Sequence, residues 1–479
     1  MLDNPQSKKI PNEEILLKTR AEVIQQINNN TYDLAIIGGG IHGATAARIA
    51  ASNGLKTVLL EKADYASATS SRSSKMAHGG LRYLELLDFQ QVFEGVKSRE
   101  KLFKDYPKSV TPHPFYIPVY KGDWWFRFKL GVGLKLYDLF LKNKARKHSW
   151  LNKEAVVKEI PELASQNIAG CYCYFDGVMK DYRLVINNIL NARLEGADCL
   201  NYAKVTDISG TKLSWKDQID QKEYTIKASK ILNCAGPWVN EFTSADAPKL
   251  KYSRGSHIIF SVPWNKPALF LPMEGDTRYY FVGPHDAGTM VGTTEREVDE
   301  LNEDPQASKS EIDEILARLK RDLPDSDLTK ENVHYAFAGV RSLPVRNSSG
   351  NTSKLSRKHI WHQQDNIFSL FGGKLTTAEW TAREGIKLIL NSLNKKTKII
   401  GQQQIEFSDQ VTAKNAFKFE QATTLEDYLR RRTGAEYHND ISLEVVASEL
   451  KPFIDKKNLQ KQISKYQERI QHLQNMLCK

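Results

Sequence analysis

The sequence predicts an α/β fold, on three observations. An apolar run breaks into closely spaced glycines in "DLAIIGGGIHG" at 33–43, the stretch "ATAARIAASNG" behind it has helix-forming composition, and a second apolar run, "LKTVLLE", stops at Glu61. In order these read as strand, tight turn, helix and strand, with Gly54 as the helix's capping glycine.

The first strand is short and apolar, as a buried parallel strand should be. Gly38, Gly40 and Gly43 fit G-x-G-x-x-G, in which the first glycine turns the chain, the second admits a pyrophosphate to the backbone, and the third lets helix pack on strand. The helix N-terminus then offers unpaired N–H groups to an anion. Glu61, 23 residues beyond Gly38, stands where a carboxylate accepts hydrogen bonds from a ribose diol. The N-terminal unit is therefore expected to be Rossmann-like and to bind a dinucleotide.

The 479 residues allow more than one domain and a large core, and 41% hydrophobic residues describe a globular chain with no stretch apolar enough to span a bilayer. The start, "MLDNPQSKKIPNEEILLKTR", lacks the apolar segment of a secretory signal, so a cytoplasmic protein is expected. Cys171, Cys173, Cys199, Cys234 and Cys478 are odd in number and form no C-x-x-C pair, which argues against a disulfide framework and a zinc site; no metal is expected. With 68 basic and 57 acidic residues the net charge is +11, which favours an anionic partner without choosing one.

Residues 1–30 read as a polar extension holding one helical stretch. Segments 31–250 and 363–395 read as one discontinuous nucleotide-binding domain, because "ASKILNCAG" and "NIFSLFGGKLTTAEWTAREGIKLIL" repeat the run of strand into glycine. Between them, 251–362 carries strand-like runs and the helix-like "KSEIDEILARLKRDL" at 309–323, as an inserted α+β substrate domain would, with further substrate-domain segments expected within 100–200. From 400 to 479 the chain turns polar and helical. There Ile463, Tyr466, Ile470, Leu473 and Leu477 make one apolar stripe that should pack on the protein's own surface.

Chemistry concentrates after Glu61 in "ASATSSRSSKMAHGGLRYLE". The blocks "GGGIHGATAA", "TSSRSSKMAHGGLRYLE", "NCAGPWV", "RGSHIIF", "VGTTE", "AGVRSL" and "FGGKLTT" occur in the order seen in FAD-dependent glycerol-3-phosphate dehydrogenases of the aerobic type. Over about 30 to 390 the sequence resembles that family. "LEDYLRRRTG" looks like a late piece of the family's C-terminal helical domain, and the short stretch before it implies a reduced cap. His42 stands where the family often has Asn, Ser342 where Pro is usual, and Glu295 where Asp is usual.

The resemblance implies a Rossmann-like FAD-binding domain, an inserted α+β substrate domain and a short helical cap. It implies oxidation of glycerol 3-phosphate to dihydroxyacetone phosphate, with hydride passing to FAD and electrons then to a membrane quinone. A substrate phosphate needs cations and donors, which Arg82, Tyr83 and Lys374 supply as a fork, a phenol and an ammonium. Thr294 and Arg357 match substrate-contacting residues of the family. Removing the hydroxyl proton needs a base; His257 is the first choice and His78 the second. Arg341 matches an arginine at the flavin, where positive charge favours the reduced ring. Gly38, Gly40, Gly43, Glu61, Ser70, Ser74, Ala235, Gly236, Gly372, Gly373, Leu375 and Thr376 are the remaining expected cofactor contacts.

Three rival readings are weaker. An amine or amino-acid oxidase of the same superfamily needs a carboxylate clamp and has little use for Lys374 beside "HGGLRY". A nicotinamide dehydrogenase rests on the glycine motif alone. A nucleic-acid binder rests on charge alone, without a basic arm or RNA-binding signature, so no nucleic acid is expected. Oxygen in place of quinone, as in a glycerol-3-phosphate oxidase, stays open. The segment "WWFRFKLGVGLKLYDLFLKNKARK" at 124–147 is rich in Trp, Phe and Leu and closes on a basic cluster, as an interfacial helix would. Its Arg127, Lys135 and Asp138 share one face, with Lys129 nearly opposite. Peripheral contact with the inner face of the plasma membrane is the expectation.

Overall fold

The computed structural model describes residues 17–81, 88–141, 143–273, 278–345, 358–396, 398, 399, 401 and 404–478. Two sheets organise it. The first has a parallel centre in the order Ile367–Phe371, Glu223–Asn233, Thr31–Ile37, Thr57–Leu60 and Asp198–Leu200. Thr57–Leu60 is buried along its whole length, which is why it reads as a continuous apolar run rather than an alternating one; Asp198–Leu200 is buried throughout as well, its Asp198 accepting from the Tyr32 hydroxyl. Ile360–Gln364 adds an antiparallel edge, and Ala203–Ser209 and Lys212–Asp217 fold back antiparallel beside Glu223–Asn233.

Register fixes where the strands end. Ile37 pairs with both Leu60 and Asn233, and Asn233 pairs with Ser369. Four chain segments therefore leave the sheet at one carboxyl edge: Gly38–Gly40, Glu61, Cys234–Gly236 and Gly372–Gly373. The helix Ile41–Ser52 begins there, with Gly40 as its N-cap. Gly38 has φ +103°, and a Cβ on Gly43 would lie 1.9 Å from the Gly38 carbonyl oxygen, so the first glycine turns the chain and the third lets helix and loop touch. Arg48 on the buried side of that helix donates to Asn188 Oδ1 and Glu379 Oε2, each at 2.8 Å, pinning it to the helices Asp181–Leu194 and Ala378–Ser392.

The second sheet has ten strands among the described residues. Its long antiparallel pairs are Val110–Tyr120 with Ile168–Met179, and Lys249–Phe260 with Val333–Val345. Short strands from 268 to 292 connect them, joined to Val110–Tyr120 by one parallel pairing. The helix Lys309–Asp322 opens on a Ser308–Glu311 capping box, and its buried Ile312, Ile315 and Leu319 face the core.

The C-terminal segment packs on both sheets. It contains the helix Ala413–Lys418, a π-helical turn Asp427–Arg432, and the helices Leu443–Leu450 and Lys456–Cys478. On the last helix Tyr466, Leu473 and Leu477 are buried, with Ile463 and Ile470 packed beside them, so the expected stripe does lie on the protein's own surface.

Candidate functional site

Between the carboxyl edge of the parallel sheet and the second sheet lies a cavity of about 1090 Å³. Open parallel α/β sheets bind ligands at this edge, because loop amides and helix N-termini converge there.

At one end, Gly38 and Gly40 line the cavity with Ser70, whose Oγ accepts the Ile41 N–H at 3.0 Å. Gly43 does not line it and acts through packing. Glu61 is buried; Oε2 accepts the Gly39 N–H at 2.5 Å and Oε1 the Ala63 N–H at 2.9 Å. Burial pushes its carboxyl up from the ordinary value, and those two amides oppose the shift. Next to it Lys62 lies 3.6 Å from the Trp238 ring and pairs with Glu303 at 2.7 Å. The Trp238 contact comes from a motif block, but its partner was not foreseen. Ala235 and Gly236 continue this wall, and Gly372, Gly373, Leu375 and Thr376 form a second one, just before the helix Ala378–Ser392.

His42 sits under that second wall. Its Nε2 is buried without a hydrogen-bond partner among the described residues, and a Cβ on Gly373 would lie 2.6 Å from it. Burial holds its imidazole down at about 4, so it is neutral.

At the other end stands His257, on Lys249–Phe260. Its ring stacks on Phe337, with centroids 5.0 Å apart and planes 14° apart. Gly292 pairs opposite it, and a Cβ there would lie 2.5 Å from His257 Cδ2; the glycine of "VGTTE" makes room for the imidazole. Nε2 is 2.9 Å from Ser74 Oγ, while Nδ1 is buried without a partner among the described residues. Burial first, then the positive charges of Arg341 and Lys75, keep His257 well below the ordinary histidine value. It is an unprotonated imidazole, the state a base requires. Lys75 is itself buried, 2.6 Å from Asp181 Oδ1, which outweighs the effect of burial and keeps it charged.

Arg341 lines the same end and donates through Nη2 to Thr293 Oγ1 at 3.3 Å. Thr294 is fully buried; its hydroxyl accepts the Ser256 N–H and donates to Glu311 Oε1, both at 2.9 Å. Lys374 reaches Gln91 Oε1. His78 lines the cavity and its backbone N–H donates to Thr376 Oγ1 at 3.3 Å. Glu295, one of the departures, holds Arg278 at 2.7 Å, and both line the cavity. Arg82, Tyr83 and Arg357 lie outside the described residues.

The glycine turns, helix N-terminus and buried carboxylate fit a dinucleotide cofactor, since side chains are excluded where its phosphates would pass and a ribose acceptor is present. Among the described residues no cluster of His, Cys, Asp and Glu is suited to a metal ion.

The helix Trp124–Leu139 borders the cavity through Phe126, Leu130 and Leu136 and buries Leu134 and Tyr137. Trp124 (74%), Trp125 (57%) and Leu139 (76%) are exposed, and Phe128 (59%) is exposed where it also lines the cavity. Arg127 is engaged within the protein, its guanidinium 3.8 Å from the Trp150 ring, and Asp138 holds His148 Nδ1 at 2.7 Å. Among the described residues no helix is long and apolar enough to cross a membrane.

Residues 33–384 match the model of the FAD-dependent oxidoreductase family. An aerobic glycerol-3-phosphate dehydrogenase of Staphylococcus aureus (strain USA300) is 32% identical over 394 residues, covering 78% of this chain and 70% of that protein. Among solved structures, a glycerol-3-phosphate dehydrogenase from Bacillus halodurans complexed with FAD matches with a TM-score of 0.73 at 22% identity, over 96% of this chain and 97% of the other. An L-α-glycerophosphate oxidase from Mycoplasma pneumoniae with FAD bound matches with a TM-score of 0.62 at 18% identity, over 78% and 98%. At those identities the two structures speak for the fold.

Proposed function

From a chain that belongs to the FAD-dependent oxidoreductases and, within them, to the glycerol-3-phosphate dehydrogenases, we infer oxidation of glycerol 3-phosphate to dihydroxyacetone phosphate. The observation that carries the reading is one cavity lined both by glycine turns at a carboxyl sheet edge and by an unprotonated, buried His257 beside Arg341. FAD supplies the hydride-accepting chemistry when bound. The chain's own residues do the rest.

Gly38, Gly40 and the start of the helix Ile41–Ser52 hold the pyrophosphate, with Gly43 keeping helix and loop together. Glu61 holds the ribose. Ser70, Ser74, Ala235, Gly236, Gly372, Gly373, Leu375 and Thr376 complete the cofactor's walls. Arg341 adds positive charge at the reacting end. Lys374, Arg82 and Tyr83 bind the substrate phosphate, and Arg357 and Thr294 belong to the wall the substrate meets. His257, uncharged and lining the cavity, accepts the hydroxyl proton. His78 is the alternative base.

Electrons pass on to a membrane quinone, and the exposed Trp124, Trp125, Phe128 and Leu139 rest on the inner face of the plasma membrane. The support is physical: an aromatic face beside the cavity, followed in sequence by the basic Lys144, Arg146 and Lys147, suits the headgroup layer of an anionic bilayer. Purified protein should reduce a quinone-like dye when given glycerol 3-phosphate and make little peroxide in air. Peroxide at the rate of turnover would replace quinone with oxygen as the acceptor. In flotation with anionic liposomes, Trp124→Ser with Trp125→Ser should stay at the bottom while the parent protein rises; equal flotation would remove this helix from the membrane role.

A further inference from the structure

The structure contains a buried polar centre that none of the roles above uses. The Asp176 Oδ1 oxygen accepts three hydrogen bonds: from the Gly79 N–H at 2.9 Å, from Arg99 Nη1 at 2.8 Å and from the Tyr137 hydroxyl at 2.9 Å. Arg99 Nη1 also lies 2.5 Å from the Tyr137 oxygen and 2.6 Å from the Phe175 carbonyl. Asp176, Arg99 and Tyr137 are each at most 1% exposed. A carboxylate buried this deeply is held only where its charge is matched and its lone pairs are used.

The centre gathers four elements. Asp176 belongs to Ile168–Met179, Arg99 to the helix Phe89–Asp105, and Tyr137 to the helix Trp124–Leu139. Gly79 belongs to the His78–Gly79–Gly80 turn, directly after the strand Met76–Ala77 that pairs with Gly177 and Val178. Two glycines show how closely the parts meet. A Cβ on Gly79 would lie 2.0 Å from the Tyr137 hydroxyl, and one on Gly95 would lie 2.5 Å from the Gly79 carbonyl oxygen. The turn is clasped on one side by Tyr137 and on the other by the helix bearing Gly95.

We propose that Asp176, with Arg99 and Tyr137, is the positioning centre for the substrate side of the cavity. It fixes the His78–Gly79–Gly80 turn, from which His78 and Gly80 line the cavity and from which the sequence runs straight on to Arg82 and Tyr83. None of the three need touch substrate. Their effect is on affinity, because a turn released from Asp176 presents His78 and Gly80 to the cavity in many orientations instead of one, and ordering it then falls to the substrate. The consequence for substrate rests on the function proposed above; the clasp does not.

Tyr137→Phe removes one hydroxyl and keeps the ring. In the FAD-loaded variant, exchange of the Gly79 amide with solvent deuterium should quicken about tenfold, as loss of one bond to a charged partner allows. The KM for glycerol 3-phosphate should rise about tenfold with kcat within about twofold of the parent protein. Gly79→Ala should raise KM further, and Tyr137→Leu added to it should recover part of the loss, since the two side chains compete for one space. Unchanged Gly79 exchange in Tyr137→Phe overturns the clasp. Faster exchange with unchanged KM, or additive effects of Gly79→Ala and Tyr137→Leu, overturns the positioning role. If the parent protein does not turn over glycerol 3-phosphate, the functional reading fails, and Gly79 exchange still decides the clasp.

Discussion

The carboxyl edge of the parallel sheet and the C-terminal segment from 404 to 478 hold their shape by different means. At the edge the work is done by backbone: Gly38 turns, Gly43 lets the helix approach, and the side chain of Glu61 is bound by amides of its own neighbourhood. In the C-terminal segment it is done by buried charge. Arg432 grips Asp64 with two parallel bonds of 2.9 and 2.8 Å, and Arg431 adds a third at 2.7 Å while also holding Asp427 at 2.6 Å. Arg183 grips Glu420 in the same forked way, at 2.9 and 3.0 Å. A backbone device fails when a side chain is added. A charge device fails when one is removed, because the partner is left buried and unpaired.

The largest effect should come from Gly43→Val. Its Cβ would meet the Gly38 carbonyl oxygen at 1.9 Å, so helix and loop must separate, at about 3 kcal/mol or more. The purified protein should be colourless and should not take up FAD on reconstitution, measured by flavin absorbance. A yellow Gly43→Val protein would break the claim that the edge works by close approach.

Next in size is Asp64→Asn. Burial alone would raise the Asp64 carboxyl, but Arg432 and Arg431 outweigh it and hold it at about 2, so it is charged. Neutralising it takes a counter-charge from two buried guanidinium groups, leaving Arg431 to Asp427 and Arg432 to Glu420, at about 3 to 5 kcal/mol of stability in denaturant titration. Asp64 also lies three residues from Glu61, so FAD should dissociate faster as well. A loss below about 1 kcal/mol would mean that the charge cluster is not what fastens this segment.

How much of this was legible in the sequence follows the same division. Gly38, Gly40, Gly43 and Glu61 lie within 24 residues and act through local backbone, so spacing alone brought them together. Arg432 and Asp64 are 368 residues apart, and Gly79 and Asp176 97 apart, and no periodicity links them. The helix Trp124–Leu139 shows the same limit more finely. Arg127, Lys135 and Asp138 read as one polar face, yet Arg127 is taken up by Trp150 and Asp138 by His148, partners the sequence does not pair. His257 was found as a residue type in a motif. Its unprotonated state was not, because that comes from Phe337, Arg341 and Lys75 closing round it.

The smallest effect expected of a single substitution is seen in acid. Burial lowers His42 to about 4 and His285 to about 3, and lowers His257 well below the ordinary value. The unfolded chain takes up these protons near pH 6.5 while the folded one refuses them. Stability is therefore full above about pH 6.5 and is lost as pH falls, at about 1.4 kcal/mol per pH unit for each histidine. Asp64 has the opposite origin and a lower window: its contribution is present above about pH 3.9 and is lost as pH falls toward 2. Between pH 6.5 and 4.5 the contribution of the buried histidines should thus be lost before that of Asp64. His42→Asn should flatten the slope in that range by about 1.4 kcal/mol per pH unit, read from denaturant midpoints. An unchanged slope would show that His42 is not buried uncharged.

The central claim is that FAD bound at the glycine edge and the group that deprotonates glycerol 3-phosphate share one cavity. Its most direct test is to mix the yellow protein with glycerol 3-phosphate in the absence of oxygen and follow flavin absorbance. The parent protein should bleach within one turnover, glycerol should bleach it far more slowly, and His257→Ala should slow the bleaching by about 10² to 10⁴ while binding FAD normally. A protein that holds FAD and is not bleached by glycerol 3-phosphate contradicts the account.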